Sequence, residues 1–222
     1  VDLPVDAERI SALSKEPLSE EHANFFKDKN VITVCAPFYK YKGHWNILKA
    51  YEILRNTYKK AALVFIGDGG EIAENVKHMA SESKYKDSIL FAGHQENPYK
   101  YIANSKVYVH ADITDGGQQY LLEAMATSTP VVATDCMTSE ILFDKYDPEF
   151  KCKEMTFADN GIITPAFDTR GNYSYPASYS EHIDLANAMK EMIVSEKIPP
   201  LLKQKALKSL SRYESEKVLK AY

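Results

Sequence analysis

The sequence has 222 residues, of which 45% are hydrophobic and 26% charged, and its formal net charge is −4 with an isoelectric point near 5.9. This is the composition of an ordinary soluble globular chain, long enough for one large domain or two small ones. The acidic balance argues against a protein whose partner is nucleic acid, and no apolar run reaches membrane-spanning length.

Apolar runs and helical periodicity alternate along most of the chain. Residues 1–30 are polar and mixed in composition, which predicts a linker with a short helix. Residues 143–180 predict a surface excursion, an irregular segment on the surface around one short strand. In chain order the predicted strands are 31–36, 61–66, 88–93, 107–110, 130–134 and 161–165, and the predicted helices are 44–58, 71–80, 97–104, 117–127, 181–195, 199–210 and 213–222.

The alternation of apolar strands with helices predicts the fold class. Such strands are typical of a parallel sheet covered on both faces, a Rossmann-like doubly wound α/β fold. Ligands bind such sheets beyond the carboxyl ends of the strands. Loops rich in glycine or polar residues follow four of the predicted strands, at 37–43, 67–70, 93–95 and 111–117. All four are therefore expected on the ligand side.

The cysteines indicate the redox environment. Cys35, Cys136 and Cys152 are odd in number and share no short spacing. They favour a reducing compartment over a disulfide framework or a zinc site. We expect a cytoplasmic location, with a membrane surface as the alternative. The chain begins at Val1 without an initiator Met, which suggests a piece of a longer protein.

The most informative segment surrounds the start of the helix predicted at 117–127. Gly116 and Gly117 open it, Asp115 lies just before them, and Glu123 follows eight residues after Asp115. Free backbone N–H groups at a helix start bind anions, because they lack partners and the helix dipole is positive there. Two carboxylates around an anion site make sense if the ligand also carries hydroxyls, as a nucleotide-sugar does.

Several motifs in a fixed order resemble one known family. They are Lys42-Gly43, the run from Val64 to Gly69, Phe91-Ala92-Gly93, Asp115-x7-Glu123, the run from Thr129 to Val132, and the run from Asn160 to Pro165. In this order they resemble the C-terminal half of the GT-B retaining glycosyltransferases of family 4, closely over about 31–165 and loosely over the tail. The resemblance implies a Rossmann-like donor-binding domain at 31–200 after the linker at 1–30. It also implies C-terminal helices at 201–222 that pack back towards an N-terminal acceptor domain missing from this chain.

The resemblance also implies roles for individual residues. Asp115 would hold hydroxyls of the donor sugar, Glu123 would hold the ribose hydroxyls, and Lys42 would neutralise the diphosphate, so these three are the expected catalytic residues. Backbone amides from 116–119 would surround the phosphates or the sugar. The complete expected donor-binding set is Lys42, Gly67, Asp68, His94, Gln95, Asp115, Gly116, Gly117, Gln118, Gln119, Tyr120 and Glu123.

Three departures from the family pattern bear on affinity and sugar choice. Asp115 stands where the family usually has Glu, so a sugar hydroxyl must come closer or a water must bridge. Ala36-Pro37 replaces the usual Gly-Arg, which removes one of two expected cations unless Lys40 substitutes for it. The usual Gly-Phe-Gly after the first acid is here the segment 116–118.

Each candidate also has an interpretation that needs no ligand. Asp115 can be the helix cap, since Asp satisfies free amides well. Glu123 and Lys42 can be solvated side chains, although a carboxylate among apolar neighbours is costly without a partner. Gly67 can be a turn residue only, and His94 can be structural.

The predicted activity is transfer of a hexose from a nucleoside diphosphate sugar to a glycan or glycoconjugate acceptor. GDP-mannose is the first expectation for the donor and a UDP-sugar the second. No Asp-x-Asp motif occurs, so no metal and no other cofactor is expected, and the chain alone is expected to bind donor without transferring it. The alternatives are a non-catalytic nucleotide- or sugar-binding module and a GT-B nucleotide-sugar epimerase.

Overall fold

A computed structural model of the chain describes residues 4–114, 118–145, 147–167 and 179–213. Within them a seven-stranded sheet carries helices on both faces, so the predicted Rossmann-like doubly wound α/β class is confirmed. The helices are α1 Ala7–Leu13, α2 Glu20–Phe26, α3 His44–Thr57, α4 Ala73–Glu82, α5 Tyr99–Ala103, α6 Gln118–Ala126, α7 Ser139–Leu142, α8 Tyr179–Val194 and α9 Ile198–Ser209. The strands are β1 Asn30–Cys35, β2 Ala61–Ile66, β3 Ile89–Gly93, β4 Val107–His110, β5 Val131–Thr134, β6 Thr156–Phe157 and β7 Ile162–Thr164.

The strand order of the sheet is β3-β2-β1-β4-β5-β7-β6. All neighbours are parallel except β6 and β7, which are antiparallel. The chain moves outward in one direction from β1 to β3 and then returns to place β4 on the other side of β1. The strand order therefore reverses between β1 and β4, and this is the place where an open α/β sheet forms its ligand crevice.

The core lies on both faces of the sheet because side chains alternate along each strand. In β1, Ile32 and Val34 pack with α3, α4 and α8 on one face, while Val31 packs with α1, α5 and α6 on the other. Every residue of β2 is buried. Burial on both faces explains why this strand is a continuous apolar run in the sequence.

Three segments differ from the sequence-based expectation. The predicted linker at 1–30 holds two helices, and Val5 and Ile10 are buried in the core. The excursion at 143–180 contains β6 in addition to the predicted strand, because two residues are too short for a periodic pattern to reveal. The last predicted helix, at 213–222, falls almost wholly outside the described residues, and 210–213 form a 3-10 turn.

Candidate active site

A cavity of about 340 Å³ lies beyond the carboxyl ends of β1, β2 and β3. This is the side of the sheet on which the sequence predicts the ligand. Five of the expected donor-binding residues line it together. The lining consists of Cys35, Ala36, Pro37, Ile66, Gly67, Asp68, His94, Gln95, Pro98 and Tyr120. Its size falls within the range of small-molecule sites.

Gly67 shapes the wall of this cavity between β1 and β2. Its φ angle is +136°, and a Cβ added there would lie 2.2 Å from the carbonyl oxygen of Ala36. No other residue type fits so close a backbone approach at this φ. Gly67 therefore does more than form a turn, because it brings the end of β2 against the end of β1.

Gln95 is held rigidly at the cavity by a chain of hydrogen bonds. Its Nε2 donates to the carbonyl oxygen of Ala92 at 2.6 Å, and its Oε1 accepts from the Tyr101 hydroxyl at 3.0 Å. That hydroxyl also lies 2.7 Å from Nδ1 of His22 in α2. Both polar ends of the Gln95 amide are therefore engaged, and the side chain forms a fixed wall.

Lys42 lies at the crevice between β1 and β4 and forms a buried ion pair. Its Nζ is 2.5 Å from Oδ2 of Asp112, and the two side chains are only 4% and 3% exposed. Lys42 is thus no solvated lysine. It does not line the cavity directly, but its Nζ lies 5.6 Å from the ring centroid of Tyr120, which does.

Asp112 is a residue that the sequence analysis did not single out. It lies two residues after the end of β4, its backbone carbonyl accepts a 2.7 Å hydrogen bond from the Thr134 hydroxyl, and its Oδ2 lies 3.5 Å from Nε2 of His110. Burial, and then the charge of Lys42, lower the pKa of His110 to about 3, so this histidine is neutral at physiological pH. The available signal was an acid at the carboxyl end of a buried strand.

The turn after β1 and the segment after β4 are locked to each other. Gly43 has a φ of +67°, and a Cβ there would lie 2.1 Å from the carbonyl oxygen of Ala111. The Ile113 N–H donates to the carbonyl oxygen of Tyr41 at 2.7 Å. Together with the Lys42–Asp112 ion pair, these contacts hold the crevice at a fixed width.

Glu123 lies half-buried on α6 next to Gln119, whose Nε2 donates to the Glu123 Oε1 at 3.0 Å. Burial first, and then the charge of Glu123, raise the pKa of Tyr99 to about 12. Burial first, and then the charge of Glu123, raise the pKa of Cys35 to about 12. Since Cys35 lines the cavity, the Glu123 charge reaches the cavity although Glu123 is not among the lining residues.

The other expected residues of the glycine-opened helix are placed only in part. Asp115, Gly116 and Gly117 lie outside the described residues. Gln118 begins α6 and donates from Nε2 to the carbonyl oxygen of Met137 at 2.6 Å. Tyr120 is the member of α6 that lines the cavity.

The departure at Pro37 and the suggested substitute cation, Lys40, both lie on the turn after β1. Pro37 lines the cavity and presents no cation to it. The backbone N–H of Lys40 donates to Oε1 of Glu71 at 3.0 Å, so this exposed turn is tied to the loop before α4. The role of Lys40 as a substitute cation stays a prediction.

Neither a cluster of metal ligands nor a membrane-spanning helix is present among the described residues. Within them no group of three or more His, Cys, Asp and Glu side chains is arranged to hold a metal ion. None of the helices described combines the length and the apolar character needed to cross a bilayer.

Comparison with known proteins gives a consistent result. The profile of the family described as glycosyl transferases group 1 matches residues 16–149. An uncharacterized glycosyltransferase of Methanocaldococcus jannaschii is 25% identical over 222 residues, which cover 98% of this chain and 54% of that protein. The chain thus spans about half the length of that relative.

Solved structures agree on the fold. A glycosyltransferase from Rickettsia africae superposes with a TM-score of 0.72 at 13% identity, covering 99% of this chain and 54% of that one. HepE of Anabaena, solved in complex with UDP and glucose, superposes with a TM-score of 0.69 at 14% identity, covering 98% and 52%. At these identities the likeness concerns the fold.

Proposed function

The chain belongs to the family of glycosyl transferases group 1, and from that premise we propose that it binds the nucleoside diphosphate sugar of a retaining hexosyltransferase. The observation that carries the proposal is the convergence of Gly67, Asp68, His94, Gln95 and Tyr120 on one cavity at the carboxyl ends of three adjacent strands. The acceptor is a glycan or glycoconjugate, bound with the help of a further domain.

The roles proposed for the residues follow the charge that develops in the reaction. When the bond between the anomeric carbon and the diphosphate oxygen breaks, negative charge grows on the departing diphosphate. The Lys42 ammonium and the backbone amides at the start of α6 stabilise that charge. Glu123 accepts hydrogen bonds from the ribose, and Asp115 orients the sugar.

Lys42 can bind the diphosphate only if its ammonium group contacts Asp112 and a phosphate oxygen at the same time. The ammonium has three N–H donors, so one can remain on Asp112 while another turns to a phosphate oxygen. We propose that this preformed pair keeps the cation in place before the donor arrives. An ammonium positioned in advance costs less reorganisation than one recruited from solvent.

We further propose that the leaving diphosphate needs no metal, since Lys42 and the amides of α6 supply positive charge at the crevice. Donor affinity should then be equal with Mg²⁺ and with EDTA. A requirement for Mg²⁺ would contradict this part of the proposal and leave the donor site itself standing.

A second candidate is a nucleotide-binding module without transferase activity. Two observations favour it: Pro37 lines the cavity where the family pattern has an arginine, and the Lys42 ammonium is already paired with Asp112. Both features weaken the positive charge available to a leaving group. A module of this kind would bind nucleotide but support no transfer in any longer form of the protein.

Calorimetric titration tests the proposal. The ligands are UDP, GDP, UDP-glucose, UDP-N-acetylglucosamine and GDP-mannose, each with Mg²⁺ and with EDTA. We expect one nucleotide series to bind, which identifies the base. The UDP-sugars are tested alongside GDP-mannose because a structure of similar fold contains UDP. Absence of binding by both series would contradict the proposal.

A further inference from the structure

Two exposed tyrosines stand on the turn between β1 and α3. The rings of Tyr39 and Tyr41 are stacked, with centroids 5.6 Å apart and an interplanar angle of 12°. They are 39% and 37% exposed. Neither hydroxyl takes part in a hydrogen bond within the described ranges. The pair presents aromatic faces and free hydroxyls to the surroundings.

This tyrosine pair is held firmly. The Tyr41 carbonyl accepts from the Ile113 N–H at 2.7 Å, and the N–H of Lys40, between the two tyrosines, donates to Glu71 at 3.0 Å. The turn ends at Gly43, whose backbone is packed against Ala111. Stacked rings on a fixed backbone lose little conformational freedom when a ligand binds.

The tyrosine pair also lies next to the proposed site of chemistry. The Lys42 Nζ is 5.2 Å from the ring centroid of Tyr41 and 5.6 Å from that of Tyr120. Tyr120 lines the donor cavity, whereas Tyr39 and Tyr41 do not. The cation proposed to hold the leaving group therefore lies near both the ring of Tyr120, which lines the donor cavity, and the ring of Tyr41, which belongs to the tyrosine pair.

We propose that Tyr39 and Tyr41 form a stacking platform for a pyranose ring of the acceptor glycan. The inference rests on the proposed function and assigns the acceptor side of the same site. A pyranose offers a flat face of C–H groups of about the size of one aromatic ring, and the negative face of the ring attracts such groups. The hydroxyls at the sugar's rim can pair with the free tyrosine hydroxyls.

The occupant that the observations favour is a sugar and not a packed protein segment. The core of a protein interface interdigitates at the density of a protein interior. The tyrosine pair instead offers a flat stacked surface on a short turn, flanked by the exposed Lys40. A single flat ring is the better match to such a surface.

The test measures binding of the methyl glycosides of mannose, glucose and N-acetylglucosamine to the chain by saturation-transfer NMR and titration, with and without nucleotide. We expect ring protons of at least one glycoside to receive saturation. Tyr39→Ala/Tyr41→Ala should raise its dissociation constant about tenfold, while Tyr39→Phe/Tyr41→Phe should raise it much less. The matched control is Phe157→Ala, which removes an exposed aromatic ring on β6, at the far edge of the sheet.

Three results of the glycoside titrations would overturn the platform. They are no glycoside binding by the unaltered chain, equal binding after the double alanine substitution, and an equal loss in the Phe157 control. Nucleotide affinity, measured on the same variants, should stay unchanged, and its loss in the alanine variant would also count against the platform. If the unaltered chain binds no nucleotide, the donor proposal is wrong. The platform is then still tested by the glycoside titrations made without nucleotide.

Discussion

The Lys42 ammonium and the Asp112 carboxylate meet at 2.5 Å beyond the carboxyl ends of the neighbouring strands β1 and β4, where the strand order of the sheet reverses. Both side chains are almost fully buried, so each charge depends on the other for compensation in a medium that solvates ions poorly. The same pair joins the two halves of the sheet and places the cation proposed for the diphosphate.

Replacement of Asp112 by Asn should destabilise the fold. The change leaves the shape of the side chain but removes the charge that compensates the buried ammonium, and loss of one partner of such a pair costs about 3 kcal/mol or more. Urea unfolding followed by circular dichroism measures the loss. Lys42→Met/Asp112→Asn should recover part of it, because neither charge is then buried.

The matched control for Asp112 is the exposed ion pair between Lys77 and Glu74 on α4, whose side chains are 44% and 85% exposed. Lys77→Met should change the free energy of unfolding by less than about 1 kcal/mol. Equal stabilities of Asp112→Asn and Lys77→Met would show that the buried pair makes no special contribution.

Substitution of Glu123 by Gln should weaken nucleotide-sugar binding by about tenfold to a hundredfold, because a hydrogen bond to a charged acceptor is worth more than one to a neutral amide. The shape of the side chain and its position next to Gln119 are kept. Calorimetric titration gives the affinity, and Glu74→Gln on the exposed face of α4 is the control. Unaltered affinity in Glu123→Gln would remove the ribose assignment.

Gly67→Ala should disturb the cavity far more than Gly69→Ala. Both glycines have positive φ, but a Cβ at Gly67 would meet the Ala36 carbonyl at 2.2 Å, whereas nothing lies within 4 Å of a Cβ at Gly69. Gly69→Ala should cost only the left-handed strain of about 1–2 kcal/mol. Gly67→Ala should cost more and lower nucleotide affinity as well. Similar unfolding midpoints and affinities for the two variants would contradict this interpretation.

The stability of the protein should fall in mild acid because of His110 and His44. Burial is the first cause that lowers the pKa of each to about 3, against an ordinary value of 6.5, and the charge of Lys42 lowers both further. At a pH between these two pKa values the unfolded chain binds more protons than the folded one. The free energy of unfolding therefore increases with pH over this range and decreases as the pH falls below about 6.5. Each histidine contributes a slope of up to about 1.4 kcal/mol per pH unit.

Urea unfolding between about pH 7 and pH 5 measures this slope, since His is the side chain that titrates there. His110→Asn should reduce the slope of the unfolding free energy against pH by up to about 1.4 kcal/mol per pH unit, which corresponds to one proton. His78→Asn, a change at an exposed histidine on α4, should leave it as it is. A slope in His110→Asn equal to that of the unaltered chain would show that folding does not lower the pKa of this histidine.

Most of the sheet was predictable because its strands are long enough to show a pattern. β2 is an unbroken apolar run between polar segments, and burial on both faces accounts for that run. β6 was not predictable, because its two residues, Thr156 and Phe157, give no periodic signal. The helix α1 was hidden in a polar segment, because the single buried residue of the helix is Ile10.

The cavity could be predicted from the sequence for a topological reason, whereas the ion pair between Lys42 and Asp112 could not be predicted. Gly67, Asp68, His94 and Gln95 follow predicted parallel strands, so they had to converge at one edge of the sheet. Lys42 and Asp112 meet only because β4 lies next to β1, and an alternation of strands and helices does not by itself fix that order. The packing of Tyr39 on Tyr41 likewise depends on the conformation of one turn.

The placement of β4 beside β1 also bears on the order in which the molecule is assembled. A chain made from its amino end contains β1, β2 and β3 before residue 112 exists, whereas Lys42 gains the Asp112 carboxylate only when β4 docks on the open side of β1. A nucleotide that needs Lys42 would bind the completed sheet and not its earlier, three-stranded stage, and would stabilise only the former. In newly synthesised protein, binding of the donor would then indicate that β4 has docked and that the sheet is complete.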